Sequence, residues 1–150
     1  EISHCIERVG DYSCNIAEVA DRIGTLSELE CWDDLKRAAE RARSMISTAY
    51  DAFLSLSKDR VKEAADLVYR REEDVHDLIV KVCDEAIREA EESPSRSRYL
   101  FAVSRVTKDI ERIADKAVDI VDYTRELIEG RPRDLTPEQE VRETVPADTA

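Results

Sequence analysis

Apolar residues fall every three or four positions from residue 2 to residue 127, the spacing of a helix face rather than of a strand. Ile2, Ile6, Val9, Ser13, Ile16, Ala20 and Ile23 predict a first helix over residues 1–24, with Ser13 the one polar member of the row and Gly24 a C-cap. Ser27 and Glu30 have the S-x-x-E spacing of a capping box for a second helix. Its row is Leu35, Ala38, Ala42, Met45, Ala49 and Leu56, with Phe53 alongside, and its alanines let neighbours approach closely. Ser57 is placed to cap a third helix carrying Val61, Ala65, Val68, Val75, Ile79, Val82 and Ala86, a row that Glu72 interrupts. Ser93-Pro94 stops that helix and Ser95 is available to start another. The fourth carries Val103, Val106, Ile110, Ile113, Ala117, Ile120 and Leu127, and ends at Gly130 and Pro132. Residues 131–150 hold three prolines, many charges and little apolar periodicity, the composition of a flexible charged tail. Long helices joined by short loops predict an all-α fold, an antiparallel bundle.

Composition narrows the function classes. The chain has 150 residues, enough for one core, and only 3 Gly to break helices. Its net charge of −12 argues against nucleic acid, whose phosphates need a basic face, and permits cation binding. No run approaches the ~18 apolar residues of a membrane span, so membrane insertion is not expected, and no signal peptide is visible. Cys5, Cys14, Cys31 and Cys83 form no C-x-x-C pair, and Cys5 and Cys14 fall on opposite sides of one helix, so free thiols are expected. The start at Glu1, already helical in pattern, predicts a piece of a longer protein. There is no nucleophile–base pair, Gly-rich phosphate loop or H-E-x-x-H, so an enzyme is not expected.

The first and fourth helices are the same helix written twice. With residues 1–24 laid on 105–128, Ile6, Glu7, Arg8, Asp11 and Ile16 match Ile110, Glu111, Arg112, Asp115 and Ile120 identically. Asn15/Asp119 and Glu18/Asp122 match in kind. A duplicated three-helix unit explains this: residues 25–130 are one complete unit, and residues 1–24 are the closing helix of a preceding one.

"IERIADKAVDIVD" (110–122) and "IERVGDYSCNIAE" (6–18) resemble the closing-helix signature of the phosphate-uptake regulator family, PhoU, and "REEDVHDLIVKV" (71–82) resembles its middle helix. The family's usual His after the motif Asp is Tyr12 in one copy and Lys116 in the other. The resemblance implies a cytoplasmic, all-helical regulator of phosphate transport and phosphate-responsive signalling. It implies contact with a transporter ATPase or a sensor kinase. Some relatives bind metal clusters through E/D-x-x-x-D motifs. Carried over, these are Glu7 with Asp11, Glu73 with Asp77, and Glu111 with Asp115, extended by Asp119, with divalent or trivalent cations as the implied cofactor.

The residues themselves show acids at helical spacing. Glu7, Asp11, Asn15 and Glu18 fall within ~80° of arc, as do Glu111, Asp115, Asp119 and Asp122, each group opposite its apolar row. A solvated acidic surface is the plain alternative to a cation site. Against it, like charges at i, i+4 repel, and the acids recur at identical offsets in both copies. His4 and His76 are read as surface residues, although His76 beside Asp77 could join a site. Arg8 and Arg112 are expected in ion pairs with neighbouring helices, and Trp32 as an inter-helix anchor. The tyrosines show no stacking pattern for nucleic acid. Besides the phosphate-regulator reading, two others stay open: an accessory domain that regulates a channel or transporter, and a helical scaffold without a ligand. A first helix lacking its unit partners also predicts that a second copy covers it, as a homodimer.

Overall fold

The computed structural model of the chain describes residues 1–23 and 30–130. Four helices make up nearly all of it: α1 (Ile2–Ile23), α2 (Trp32–Ser55), α3 (Lys58–Glu92) and α4 (Ser97–Glu129). A short 3₁₀ turn, Pro94–Arg96, joins the last two. The α1 C-cap and capping-box Ser27, and the tail at 131–150, lie outside the described residues.

Side-chain pairs fix the helix directions. Asp34 with Lys81 and Arg71 with Ser44 run α2 and α3 antiparallel. Tyr69 with Asp122 and His76 with Glu111 do the same for α3 and α4. These three helices form an up-down-up bundle with one continuous core, in which Met45, Val68, Val75, Val82, Ile110 and Ile120 are fully or nearly fully enclosed. Each such aliphatic side chain, fully buried, contributes about 1.5–3 kcal/mol. Alanines at 38, 42 and 49 line the buried face of α2, so α3 and α4 pack directly on its backbone.

Helix ends depart from the expected pattern at three residues. Ser57 occupies the N-cap position of α3 in extended geometry, but its side chain makes no capping bond. Leu56, expected in the core row of α2, instead ends that helix with φ of 47° and is exposed. The left-handed conformation is the usual helix terminator but costs a residue with a Cβ, so a glycine would sit there with less strain. Leu127, expected in the α4 row, is also exposed.

Helix α1 packs on α4. Cys5 lies by Asp119 and Lys116, and Tyr12 lies under Arg112, so the two helices are antiparallel. Its buried residues are Cys5, Tyr12 and Val19, flanked by the partly buried Ile2, Val9, Ile16 and Ile23. That alternation of three and four is a heptad seam. It differs from the predicted row: Ile6, Ser13 and Ala20 are exposed. Arg8 and Arg112 also differ from expectation. Each pairs with an acid on its own helix, Asp11 and Asp109, and both guanidinium groups stack on the Tyr12 ring, at 4.9 and 5.6 Å. The inter-helix link is therefore the cation–π contact of Arg112 with Tyr12 rather than an ion pair. Trp32, the first residue of α2, is partly buried against the core, as expected of an anchor.

Candidate functional site

Successive i, i+4 steps drift ~40° around a helix axis, so a row of acids cannot face one neighbour for long. Along α4 the row accordingly divides. Glu111 and Asp115 turn toward α3. Asp119 turns toward α1, where Lys116 donates to it at 2.6 Å and Cys5 is near. The i+3 step to Asp122 swings back, and its carboxylate accepts from Tyr69 of α3 at 2.5 Å. Burial and that bond push the Tyr69 phenol up to about 12.

The α3 side supplies the rest of a cleft of about 430 Å3. Glu72, Glu73, His76 and Asp77 face Glu111 and Asp115 across a floor of Val75 and Ala114. Five carboxylates and one imidazole thus line one groove. Two of them are restrained: Glu111 accepts from Lys108 at 2.8 Å and lies 3.8 Å from His76 Nδ1. Glu72, Glu73, Asp77 and Asp115 have no cation within 4 Å among the described residues.

Electrostatics follow from this crowding. Asp115 stays open to solvent at the cleft mouth, yet the flanking helices strip part of its hydration. That desolvation, followed by the charge of Glu111, raises its pKa above the ordinary value. Glu72 is raised in the same way, by desolvation first and then by Asp115 and Glu73. Acids that resist ionisation in a shared groove are what an oxygen-liganded cation would relieve. Among the described residues, however, no three His, Cys, Asp or Glu groups converge closely enough to hold one ion.

Of the residues singled out by spacing, Glu73, Asp77, Glu111 and Asp115 come together in this cleft. Glu7 and Asp11 do not: they lie on the exposed side of α1, Glu7 near His4 and Asp11 bonded by Arg8 at 3.0 Å. Asp119 is held by Lys116 outside the cleft lining. His76, read as a surface residue that could join a site, is exposed and lines the cleft. Glu72 was missed as a site residue. The signal was available, because it is the one polar break in the apolar row of α3.

The interleaving of charge also differs from the expected row of bare acids. Arg8–Asp11, Lys108–Glu111, Lys116–Asp119 and Arg125–Asp122 are all i, i+3 pairs. These pairs relieve most of the repulsion within each helix. Asp115 is the member of the α4 row left without such a pair among the described residues.

The family model for the PhoU domain matches residues 35–124, from the first turns of α2 almost to the end of α4. The chain belongs to the PhoU domain family. A phosphate-specific transport system accessory protein PhoU homolog of Clostridium acetobutylicum is 27% identical over 130 residues, covering 87% of this chain and 58% of that protein. A second such homolog, from Methanothermobacter thermautotrophicus, is 28% identical over 124 residues, covering 79% of this chain and 53% of that protein. An uncharacterized protein of Methanocaldococcus jannaschii is 25% identical over 138 residues, covering 92% and 45%. The chain spans about half the length of these curated relatives. No solved structure matches it significantly. The cleft lies between α3 and α4, within the matched PhoU domain, whereas α1 precedes it. No helix among the described residues is long and apolar enough to cross a membrane.

Proposed function

We propose that this chain is a regulatory part of a phosphate transport system. It acts in the cytoplasm by contact with a transporter ATPase or sensor kinase, and the α3/α4 cleft binds divalent or trivalent cations. The PhoU relatives, named as accessory proteins of phosphate-specific transport, support the role. One observation carries the cation reading: Glu72, Glu73, Asp77 and Asp115 share a groove with no cationic partner among the described residues, and Asp115 and Glu72 are held above their ordinary pKa. Repulsion keeps such carboxylates apart when no ion is present. Long Glu side chains can then draw in around a cation, with His76 as a nitrogen ligand for a borderline metal.

A ligand that binds only the folded state stabilises it by about 2.7 kcal/mol at a hundredfold excess over its Kd. At this size that raises Tm by roughly 5–10 °C. Thermal melts in EDTA, then in Mg, Mn, Zn or Fe at matched ionic strength, measure it. The Asp115→Asn variant is expected to lose most of the metal-dependent rise. Identical curves for wild type and variant in every metal would leave a solvated acidic face. The regulatory role is tested separately, by binding of the chain to the purified ATPase subunit of the cognate phosphate transporter and to the cytoplasmic part of the sensor kinase. Loss of both interactions at micromolar concentrations contradicts it.

A further inference from the structure

The groove on the other side of α3, against α2, has the opposite character. In a chain of net charge −12, Arg37, Arg41 and Arg71 gather with Ser44 and a single acid, Glu40, around a cleft of about 400 Å3. Two of the three guanidinium groups are neutralised. Arg37 bonds Asp34 at 3.1 Å, which Lys81 also binds, and Arg41 bonds Asp74. Arg71 is different. Of the three half-buried arginines among the described residues, Arg8 and Arg41 have carboxylate partners and Arg71 has none. It donates from Nη1 to Ser44 Oγ at 2.6 Å, a neutral acceptor that uses one of its five N–H donors. A partly desolvated guanidinium with a neutral partner is an uncompensated cation.

We propose that this groove is a binding site for a phosphate-type oxyanion, bridged by Arg71 and Arg41, with the Ser44 hydroxyl as a further donor. Ser44 restrains Arg71 at the cleft lining, and four of its five donors are left for a ligand. Resident carboxylates set the threshold for any ligand. A monoanionic carboxylate gains little where Asp34, Asp74 and Glu40 already compete. A phosphoryl group offers nearly two charges and three acceptor oxygens, enough to span two guanidinium forks at once. The same chemistry comes from inorganic phosphate or from a phosphorylated side chain of a partner protein.

The test is titration of the whole chain with inorganic phosphate, and separately with a phosphoserine peptide and its glutamate counterpart. Chloride keeps the ionic strength constant, and the arginine Nε–H signals are followed by NMR. The Arg71 and Arg41 signals are expected to shift saturably with at least one phosphate probe. Saturation by inorganic phosphate assigns the free anion; a response to the phosphopeptide only assigns a partner's phosphoryl group. R71Q is expected to weaken binding about tenfold or more, the loss of one charge-assisted hydrogen bond. R105Q, on an exposed turn of α4, is expected to leave it unchanged. If R71Q does not fold, R41Q is read in its place. No saturable shift with either phosphate probe, an equal response to the glutamate peptide, or full binding retained in the arginine variant overturns the proposal.

Discussion

Helices α1 and α4 carry one motif and meet different surroundings. Ile110 is 2% exposed in the bundle core, whereas its counterpart Ile6 is 45% exposed. Glu111 and Asp115 border a cleft, whereas Glu7 and Asp11 face solvent. Tyr12 makes cation–π contacts with two arginines, and its counterpart Lys116 instead donates to Asp119. The difference lies in the neighbours: α4 has α2 and α3 on one side and α1 on another, while α1 touches α4. A motif therefore specifies which residues can form a core or a site, and the partner helices decide which of them do so.

The largest effect expected from this comparison is in the core. Ile110→Ala removes buried aliphatic carbons and leaves a cavity in the bundle core, at about 2–5 kcal/mol. At this size that lowers Tm by roughly 5–15 °C. Ile6→Ala, at an exposed position, is expected to stay within about 0.5 kcal/mol. Paired thermal and urea melts compare the two. A loss at Ile6 as large as that at Ile110 breaks the contrast and means that the Ile6 face is covered in solution. Sedimentation as a function of concentration then shows whether a second copy of the chain covers it.

That contrast also explains what was legible in the sequence. The rows of α2, α3 and α4 could be read because each of these helices has one wide apolar face, and Met45, Val75 and Ile120 lie where periodicity places them. Helix α1 has two overlapping rows that share Ile2, Val9, Ile16 and Ile23. Periodicity favoured the row completed by Ile6, Ser13 and Ala20. The structure uses the one completed by Cys5, Tyr12 and Val19, whose amphipathic Tyr hid it from a count of aliphatic residues. Leu56 was misplaced because composition does not reveal a left-handed terminus. At the site, the i, i+4 spacing found Glu73, Asp77, Glu111 and Asp115. It could not tell which acids face each other, because that depends on the register of α3 against α4, and so it took the structure to set Glu72 and His76 in the same cleft as these four. The Arg71 groove needed the register of α2 against α3 for the same reason.

The smallest effect expected separates the two motif acids themselves. Asp115 sits between Glu111 and Asp119 at i−4 and i+4 and has no ion pair among the described residues, while Asp11 is bonded by Arg8. Asp115→Asn relieves like-charge repulsion of about 0.2–0.5 kcal/mol and raises the metal-free Tm by ~1–2 °C at neutral pH. Asp11→Asn removes a bonded carboxylate and is expected to leave stability unchanged or slightly lower. The pH dependence identifies the cause. The folded-state pKa of Asp115 is raised by desolvation and by Glu111, so folding resists its ionisation. Below the ordinary carboxylate value of ~3.9 the group is protonated in both states and costs nothing. As pH rises through the raised value, stability is lost, and above it the loss is complete. The advantage of Asp115→Asn over wild type is therefore expected at pH 7 and should fade as pH falls toward 4. Asp34, lowered by its bond to Lys81, works in the opposite sense in both proteins and cancels in the difference. Melts of wild type, Asp115→Asn and Asp11→Asn between pH 4 and 8 in EDTA decide it. An advantage for Asp115→Asn that does not change with pH would remove the charge explanation and leave Asp115 equivalent to its exposed twin.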